Sequence, residues 1–196
     1  SYIPSSNVAL TTTKKWLDGT AGGSSTFDGF RWGATIIGTS STLFDTTNKY
    51  NNNSSIKGSL VGVNSYIEIS ITPDNSISTN IKKYAIPVLP NTSYTTIYAM
   101  KTNYISGDSN NGAVVYNTCW DGTGAFTSNR NTPTAIKTTT GWTIYTNQFT
   151  TGANDRFVTI TPSLEGRTGT ATLIMDAWFA NITLTPTVNT VRTQVS

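Results

Sequence analysis

The sequence predicts an all-β fold, a β-sandwich or jelly roll of two antiparallel sheets, and three observations carry that prediction. Charged residues make up 12% of the 196-residue chain, while Ser, Thr, Asn and Gly fill much of the rest; these residues compete for helical backbone hydrogen bonds or lose too much entropy in a helix. Apolar and β-branched residues alternate in short segments along nearly the whole length, the period of a half-buried strand. Clusters of Gly, Asn, Asp and Pro separate those segments, as turns do in a strand-turn-strand chain. With 36% hydrophobic and 11% aromatic residues there is enough apolar area for a core, and the length suits one domain.

Nine strands follow in order. Residues 7–10 alternate Val8 and Leu10, and residues 30–37 alternate Phe30 and Trp32 before Ile36. Residues 65–72 set Ile67, Ile69 and Ile71 against Tyr66, Glu68 and Ser70, and residues 81–88 carry Tyr84, Ile86 and Val88. Residues 93–102 and 113–120 are rich in aromatic and β-branched side chains, and in residues 142–150 Tyr145 and Phe149 stand two alternations apart. Residues 156–164 put Val158, Ile160, Pro162 and Leu164 on one face; residues 171–184 are long enough for a bulge or bend. Residues 49–55, 107–112 and 122–134 read as loops on composition. The domain is expected to span residues 1–184, with 185–196 a tail or linker that has no apolar face to bury.

Composition also removes chemistry. The chain has no histidine, which takes away the usual general base, the usual metal ligand and the Ser-His or Cys-His pair. Glu68 and Glu165 are the two glutamates; a two-carboxylate glycosidase would need a deep cleft that a small sandwich seldom offers, so a noncatalytic domain is expected. Ser54-Ser55-Ile56-Lys57 matches Ser-x-x-Lys but lies in a loop segment without companion motifs. Residues 107–112 and 121–124 combine oxygen side chains with glycine but lack the spacing of a calcium loop. The 13 Lys and Arg, giving a net charge of +3, are dispersed and form no basic stripe for nucleic acid. Cys119 is the single cysteine, expected to be buried. No apolar run approaches the ~20 residues that span a bilayer, so a soluble chain without a membrane partner is expected. Its compartment is not encoded.

A family resemblance enters at residues 87–102. The stretch 88–102, Val-Leu-Pro-Asn-Thr-Ser-Tyr to Lys-Thr, resembles the Pro-Gly-x-x-Tyr strand of jelly-roll carbohydrate-binding modules, the group with families 4, 9 and 22, with Asn91 in place of the common glycine. Residues 113–124 are similar to the family's strand ending in an aromatic and an Asp-x-x-Gly turn. Residues 138–151 are similar to its Gly-Trp-Thr strand, and 168–184 to its closing strand. The resemblance covers roughly residues 7–184 and implies a sandwich that binds polysaccharide without cleaving it. Such modules also occur in phage tail proteins, so a structural or host-adhesion domain of a phage tail or capsid protein is the alternative, and an extracellular, surface or virion location is implied. The family's closing strand usually carries paired acids where this chain has Ala180 and Asn181, so no cofactor is required and its structural calcium is in doubt; Asp176 and Asn181 are the remaining candidates.

Sugar rings present C–H patches edged by hydroxyls, which aromatic rings stack against and polar side chains meet. Alternation places Ala113, Val115, Asn117 and Cys119 on one face and Val114, Tyr116, Thr118 and Trp120 on the other. If the first face is core, Tyr116 and Trp120 point outward together, about 13 Å apart along the strand. Family 22 modules use a carboxylate on the strand matching 156–164, which the resemblance implies for Glu165. Arg31, Tyr84, Tyr104, Asp121 and Arg130 complete the expected sugar contacts. Trp142 and Trp32 read as structural, and the pattern does not orient Trp16 or Trp178. The expected ligand is a β-glucan or xylan type chain, and the domain is expected to belong to a larger multidomain protein.

Overall fold

Stretches of alternating apolar and polar side chains pair throughout as antiparallel strands. A computed structural model describes residues 14–16, 26–27, 30–72 and 85–187. Among them are eleven strands: β1 (Lys14–Trp16), β2 (Thr26–Phe27), β3 (Phe30–Tyr50), β4 (Asn53–Thr72), β5 (Ile86–Pro87), β6 (Ser93–Ser106), β7 (Gly112–Trp120), β8 (Phe126–Asn129), β9 (Thr140–Thr150), β10 (Phe157–Glu165) and β11 (Leu173–Pro186). The expected strand at 7–10 lies outside the described residues, as do 81–84; of the expected strand 81–88, Ile86 and Pro87 pair with β10.

One long hairpin organises the rest. β3 and β4 meet in a two-residue turn, Asn51-Asn52, with φ of 48° and 65°. Left-handed conformations at both positions give the twist that a tight hairpin needs, and asparagine tolerates them. Midway the register shifts: Ile37 faces Tyr66 but Thr39 faces Val61, leaving residues 62–65 of β4 without partners on β3, with Asn64 at φ 50°. On one side of this bend Tyr66, Ile67 and Glu68 pair with β10; on the other, residues 56–62 pair with β11. The strand network is therefore continuous, yet it folds into two sheets. Sheet A runs β8-β7-β10 and on to the second half of β4; sheet B runs β9-β6-β11 and on to the first half.

The reading of residues 49–55 as a loop is thus corrected to a two-residue turn, and the strands extend through 38–48 and 53–64. Ser, Thr and Asn hide these strands because one side of each faces solvent. Residues 126–129, also expected in a loop, form β8 on the edge of β7. The bulge expected in the last strand is present between Ala180 and Thr183, with Asn181 at φ 48°. Strand pairing continues past Leu184 to Pro186.

The core lies between the sheets. Tyr94, Tyr98, Met100, Phe149, Phe179 and Leu60 of sheet B meet Val115, Val158, Ile160, Leu164 and Ile67 of sheet A. Two stacked ring pairs, Tyr94–Phe149 at 5.7 Å and Tyr98–Tyr145 at 5.5 Å, fasten β6 to β9. Polar groups inside are satisfied across the gap: Thr96 Oγ1 donates to Asn117 Oδ1 at 2.7 Å, joining the sheets through the core. Cys119 is fully buried, and burial pushes its thiol up to about 12, which leaves it unreactive.

Asp155, with no exposed surface, ties the β9–β10 connection to β8. It accepts hydrogen bonds from Arg130 Nε at 2.8 Å, Arg130 Nη2 at 3.0 Å, Thr127 Oγ1 at 2.6 Å and Gly152 N at 2.7 Å. Burial by itself would raise its pKa, but the bonds from Arg130, Thr127 and Gly152 outweigh it and bring the carboxyl to about 2. A folded-state value below the ordinary 3.8 means that the contribution is complete above about pH 4 and disappears as pH falls through 2. The contribution is about 2 kcal/mol. Replacing Asp155 by Asn is expected to cost about 3 kcal/mol at pH 7 in urea unfolding, and to flatten the fall in parental stability between pH 4 and pH 2. An unchanged midpoint at pH 7 would refute this role.

Candidate functional site

Because Val115, Asn117 and Cys119 point into the core, the alternate residues of β7 face outward, as alternation requires. Antiparallel pairing then sets Trp120 beside Phe157, Thr118 beside Thr159, Tyr116 beside Thr161 and Glu165 beside Tyr66, with Ser163 next to Glu68. The outward face of sheet A is therefore a strip of hydroxyls bordered by rings. Its floor is small and closed: Val114, Thr161 and Ser163 are buried, whereas Tyr116, Thr118, Trp120, Thr159, Glu165, Tyr66 and Glu68 keep partial exposure.

Each ring is oriented by a polar partner. Trp120 Nε1 donates to Thr159 Oγ1 at 3.0 Å, its ring packs on Ala85 and Phe157, and Phe126 meets it edge-on at 5.9 Å. Phe126 is 58% exposed and extends the apolar surface at this end. At the other end Tyr116 Oη donates to Glu165 Oε2 at 3.2 Å. Burial, and then the Glu165 carboxylate, push this phenol well above its usual range, so it remains a hydrogen-bond donor.

Glu165 is the centre of a wider network. Arg167 Nε lies 2.9 Å and 3.0 Å from its two oxygens, Nη2 lies 2.6 Å from Oε2, and the Arg167 backbone N–H donates to Oε1 at 2.9 Å. The same Nη2 reaches Glu68 Oε1 at 2.5 Å, and the guanidinium sits 4.1 Å from the centre of the Tyr66 ring. Hydrogen bonding to Glu165 holds Arg167 above its ordinary pKa. Both glutamates are thus held in one fixed array on the sheet face.

The structure brings Tyr116, Trp120 and Glu165 onto one surface and gives other expected contacts different tasks. Asp121 Oδ1 takes hydrogen bonds from Thr123 N, Thr123 Oγ1 and Ala125 N at 2.8, 2.6 and 3.0 Å, so this carboxylate builds the turn that leads to β8. The Arg130 guanidinium is engaged by buried Asp155. Arg31 lies in β3 opposite Thr72, and Tyr84 lies outside the described residues. Asp176 pairs with Lys57 at 3.0 Å, and Asn181 Oδ1 accepts from Asn53 Nδ2 at 2.9 Å; the two calcium candidates therefore have separate structural partners. Among the described residues no three acidic or thiol side chains gather as a metal centre would require. A shallow depression of about 360 Å³ lined by Ser93, Asn131, Gln148, Phe149, Thr150 and Thr187 opens beside β6 and β9 of sheet B, away from the aromatic strip.

Sequence reasoning missed Phe126, Tyr66, Glu68 as a neighbour of Glu165, and Arg167. The alternation of 65–72 does place Tyr66 and Glu68 opposite the buried isoleucines, but only the β4–β10 register shows which strand they stand beside.

No known protein-family model matches the chain, and no curated protein matches it. Solved structures do share its fold. The enzymatically active domain of tailspike protein 4 of bacteriophage CBA120 is similar over 81% of this chain and 19% of its own, at 9% identity and TM-score 0.52. The CBM22-1 and GH10 modules of the Clostridium thermocellum endo-1,4-beta-D-xylanase 10B, complexed with xylohexaose, are similar over 81% of this chain and 27% of theirs, at 12% identity and TM-score 0.50. The CBM22-1 xylan-binding domain of Paenibacillus barcinonensis Xyn10C is similar over 79% of this chain and 85% of its own, at 11% identity and TM-score 0.47. The chain spans about a fifth of the tailspike chain and about a quarter of the xylanase chain. At these identities the likeness is one of fold alone.

Replacing Thr159 by Val keeps its volume but removes the acceptor of the Trp120 indole. Urea unfolding is expected to show a loss of about 1 kcal/mol, with a displaced Trp120 indole N–H resonance; an unmoved resonance would show that Thr159 does not orient the ring.

Proposed function

We propose that the domain binds a polysaccharide chain of the β-glucan or xylan type along the outward face of sheet A and does not cleave it. The observation that carries this reading is the pairing of two partly exposed rings, Tyr116 and Trp120, on one side of β7, each held in orientation by a hydrogen bond. Their separation of about 13 Å along the strand suits two nonadjacent units of one extended glycan. Between them Thr118 and Thr159 offer hydroxyls to sugar hydroxyls, and Glu165 and Arg167 supply acceptor and donor at one end. Phe126 lengthens the strip beyond Trp120.

A noncatalytic role accords with the state of the acids. Glu165 takes hydrogen bonds from Tyr116 and Arg167, and Glu68 is engaged by the same guanidinium. A glycosidase needs one carboxyl in apolar surroundings to serve as acid, and a second placed for attack or for activating water. This array instead suits recognition. The domain then serves as a targeting unit within a larger multidomain protein that works outside the cell or on a virion surface.

Each stacked ring contributes on the order of 1 kcal/mol beyond area burial, so affinity falls between micromolar and millimolar. Trp120→Ala and Tyr116→Ala are each expected to lower affinity for xylan or β-glucan by about five- to tenfold in affinity electrophoresis, with thermal unfolding still cooperative and no reducing sugar released by the parent. Equal retardation of parent and variants would remove these rings from the site. A folded parent that ignores a broad glycan panel would favour the other reading, a structural or host-adhesion domain of a phage tail.

A further inference from the structure

The outward face of sheet B carries a second arrangement of rings. Cross-strand pairing puts Lys57 of β4, Trp178 of β11 and Lys101 of β6 in one row, and the two ammonium groups lie 5.1 Å and 5.0 Å from the Trp178 ring centre. At β9 the register shifts: Met100 pairs with Thr143 and Thr102 with Thr140, so Gly141 and Trp142 together oppose Lys101. A bulge of this kind re-aims a side chain, and here the side chain is an indole.

The end of the β3–β4 hairpin reaches over this row. Asp45 Oδ2 accepts from Trp178 Nε1 at 2.7 Å, Asn48 Oδ1 accepts from Lys101 Nζ at 2.8 Å, and Tyr50 meets Trp142 with ring centres 5.5 Å apart. Trp178 is sealed by these contacts, at 7% exposure, and its lysines are engaged. Tyr50 and Trp142 differ. Both stay partly exposed, and their planes are inclined at 53°, so they stand as two walls of a corner rather than as a closed stack. Asn51, Asn52, Gly141 and Thr143 beside them are exposed. The left-handed Asn51-Asn52 turn fixes the tip that carries Tyr50.

We propose that Tyr50 and Trp142 form a second glycan-binding corner, on the side of the sandwich opposite the aromatic strip, which takes a pyranose unit of an uncharged polysaccharide. The proposal shares the sugar chemistry of the first reading but none of its residues. An inclined ring pair offers apolar walls to the C–H faces of a sugar, and flanking amides and hydroxyls meet its hydroxyl rim. A sandwich with glycan sites on both outward faces holds a polymer, or two neighbouring chains, by avidity, while short oligosaccharides see each weak site separately.

The test uses the whole chain labelled with 15N, titrated with xylohexaose and with a β-1,4-glucan hexamer. Trp142→Phe and Trp120→Phe assign the two indole N–H resonances, and Trp142→Phe preserves an apolar ring against Tyr50. The expected result is a saturable shift of the Trp142 resonance that persists in Trp120→Ala. Tyr50→Ser is expected to abolish that shift, and to lower retention on the polymer at least about tenfold while leaving the Trp120 shift intact. A moving Trp120 beside a silent Trp142 would overturn the corner and leave the strip standing. A moving Trp142 beside a silent Trp120 would do the reverse, and silence of both with every glycan would overturn both.

Discussion

The two sheets of this domain must bury one face of every central strand against each other, and the period of two along a strand leaves the other face no choice but to look outward. The core residues Val115, Val158, Ile160 and Ile67 set the orientation of sheet A, while Met100, Tyr98 and Phe179 set that of sheet B. A one-residue slip would turn each set to solvent. The Thr96–Asn117 bond sharpens the restraint, because a displaced register would leave both groups buried without a partner. Continuity through the bent β3–β4 hairpin adds a covalent link: the same two strands serve both sheets, so neither can shift independently.

That constraint makes the outward faces into precise surfaces at little further cost. Tyr116 and Trp120 need no loop to hold them; their backbone positions follow from the core, and Glu165 and Thr159 fix what alternation leaves free. Arg167 has a different origin. It follows β10 after a glycine, and its side chain folds back to join Glu165, Glu68 and Tyr66. With Arg167 40% exposed and Glu68 30% exposed, solvent screens the ion pairs, so their value lies in orientation more than in stability.

How much of this was legible in the sequence depended on whether the decisive partner was near in the chain. Alternation separated the two faces of β7 but left open which was core, because Val114, Tyr116 and Trp120 are as apolar as Ala113, Val115 and Cys119; the buried face of β10 was readable from Val158, Ile160, Pro162 and Leu164. The middle of the β3–β4 hairpin was obscured because residues 38–55 are rich in Ser, Thr, Asn and Lys, the composition of a loop. Asn91, where the strand it resembles has glycine, lies in a left-handed backbone, φ 50°, which asparagine adopts at modest cost. Asp121 and Arg130 have internal partners that the sequence shows to different degrees. Asp121 is consumed by its own turn, a local signal present in Asp-Gly-Thr-Gly; Arg130 is claimed by Asp155, which is 25 residues away and gives no sign in sequence that it is buried.

Low charge has a physical consequence that joins the fold to its surface. A sheet face dressed with Thr, Ser and Asn cannot attract a ligand over distance as a charged cleft does, and under the proposed function uncharged sugar hydroxyls must leave water to meet protein hydroxyls that leave it too. Net gain at each such contact is small. Discrimination then depends on rings held at fixed places and inclinations, because C–H faces stack only where geometry allows. On the proposed reading, the restraints behind the rings, Thr159 on Trp120, Glu165 on Tyr116 and the hairpin tip behind Tyr50, lower the entropy that binding would otherwise cost. Weak contacts on a rigid sandwich would thus favour, on that proposal, a long repeating ligand over a short one.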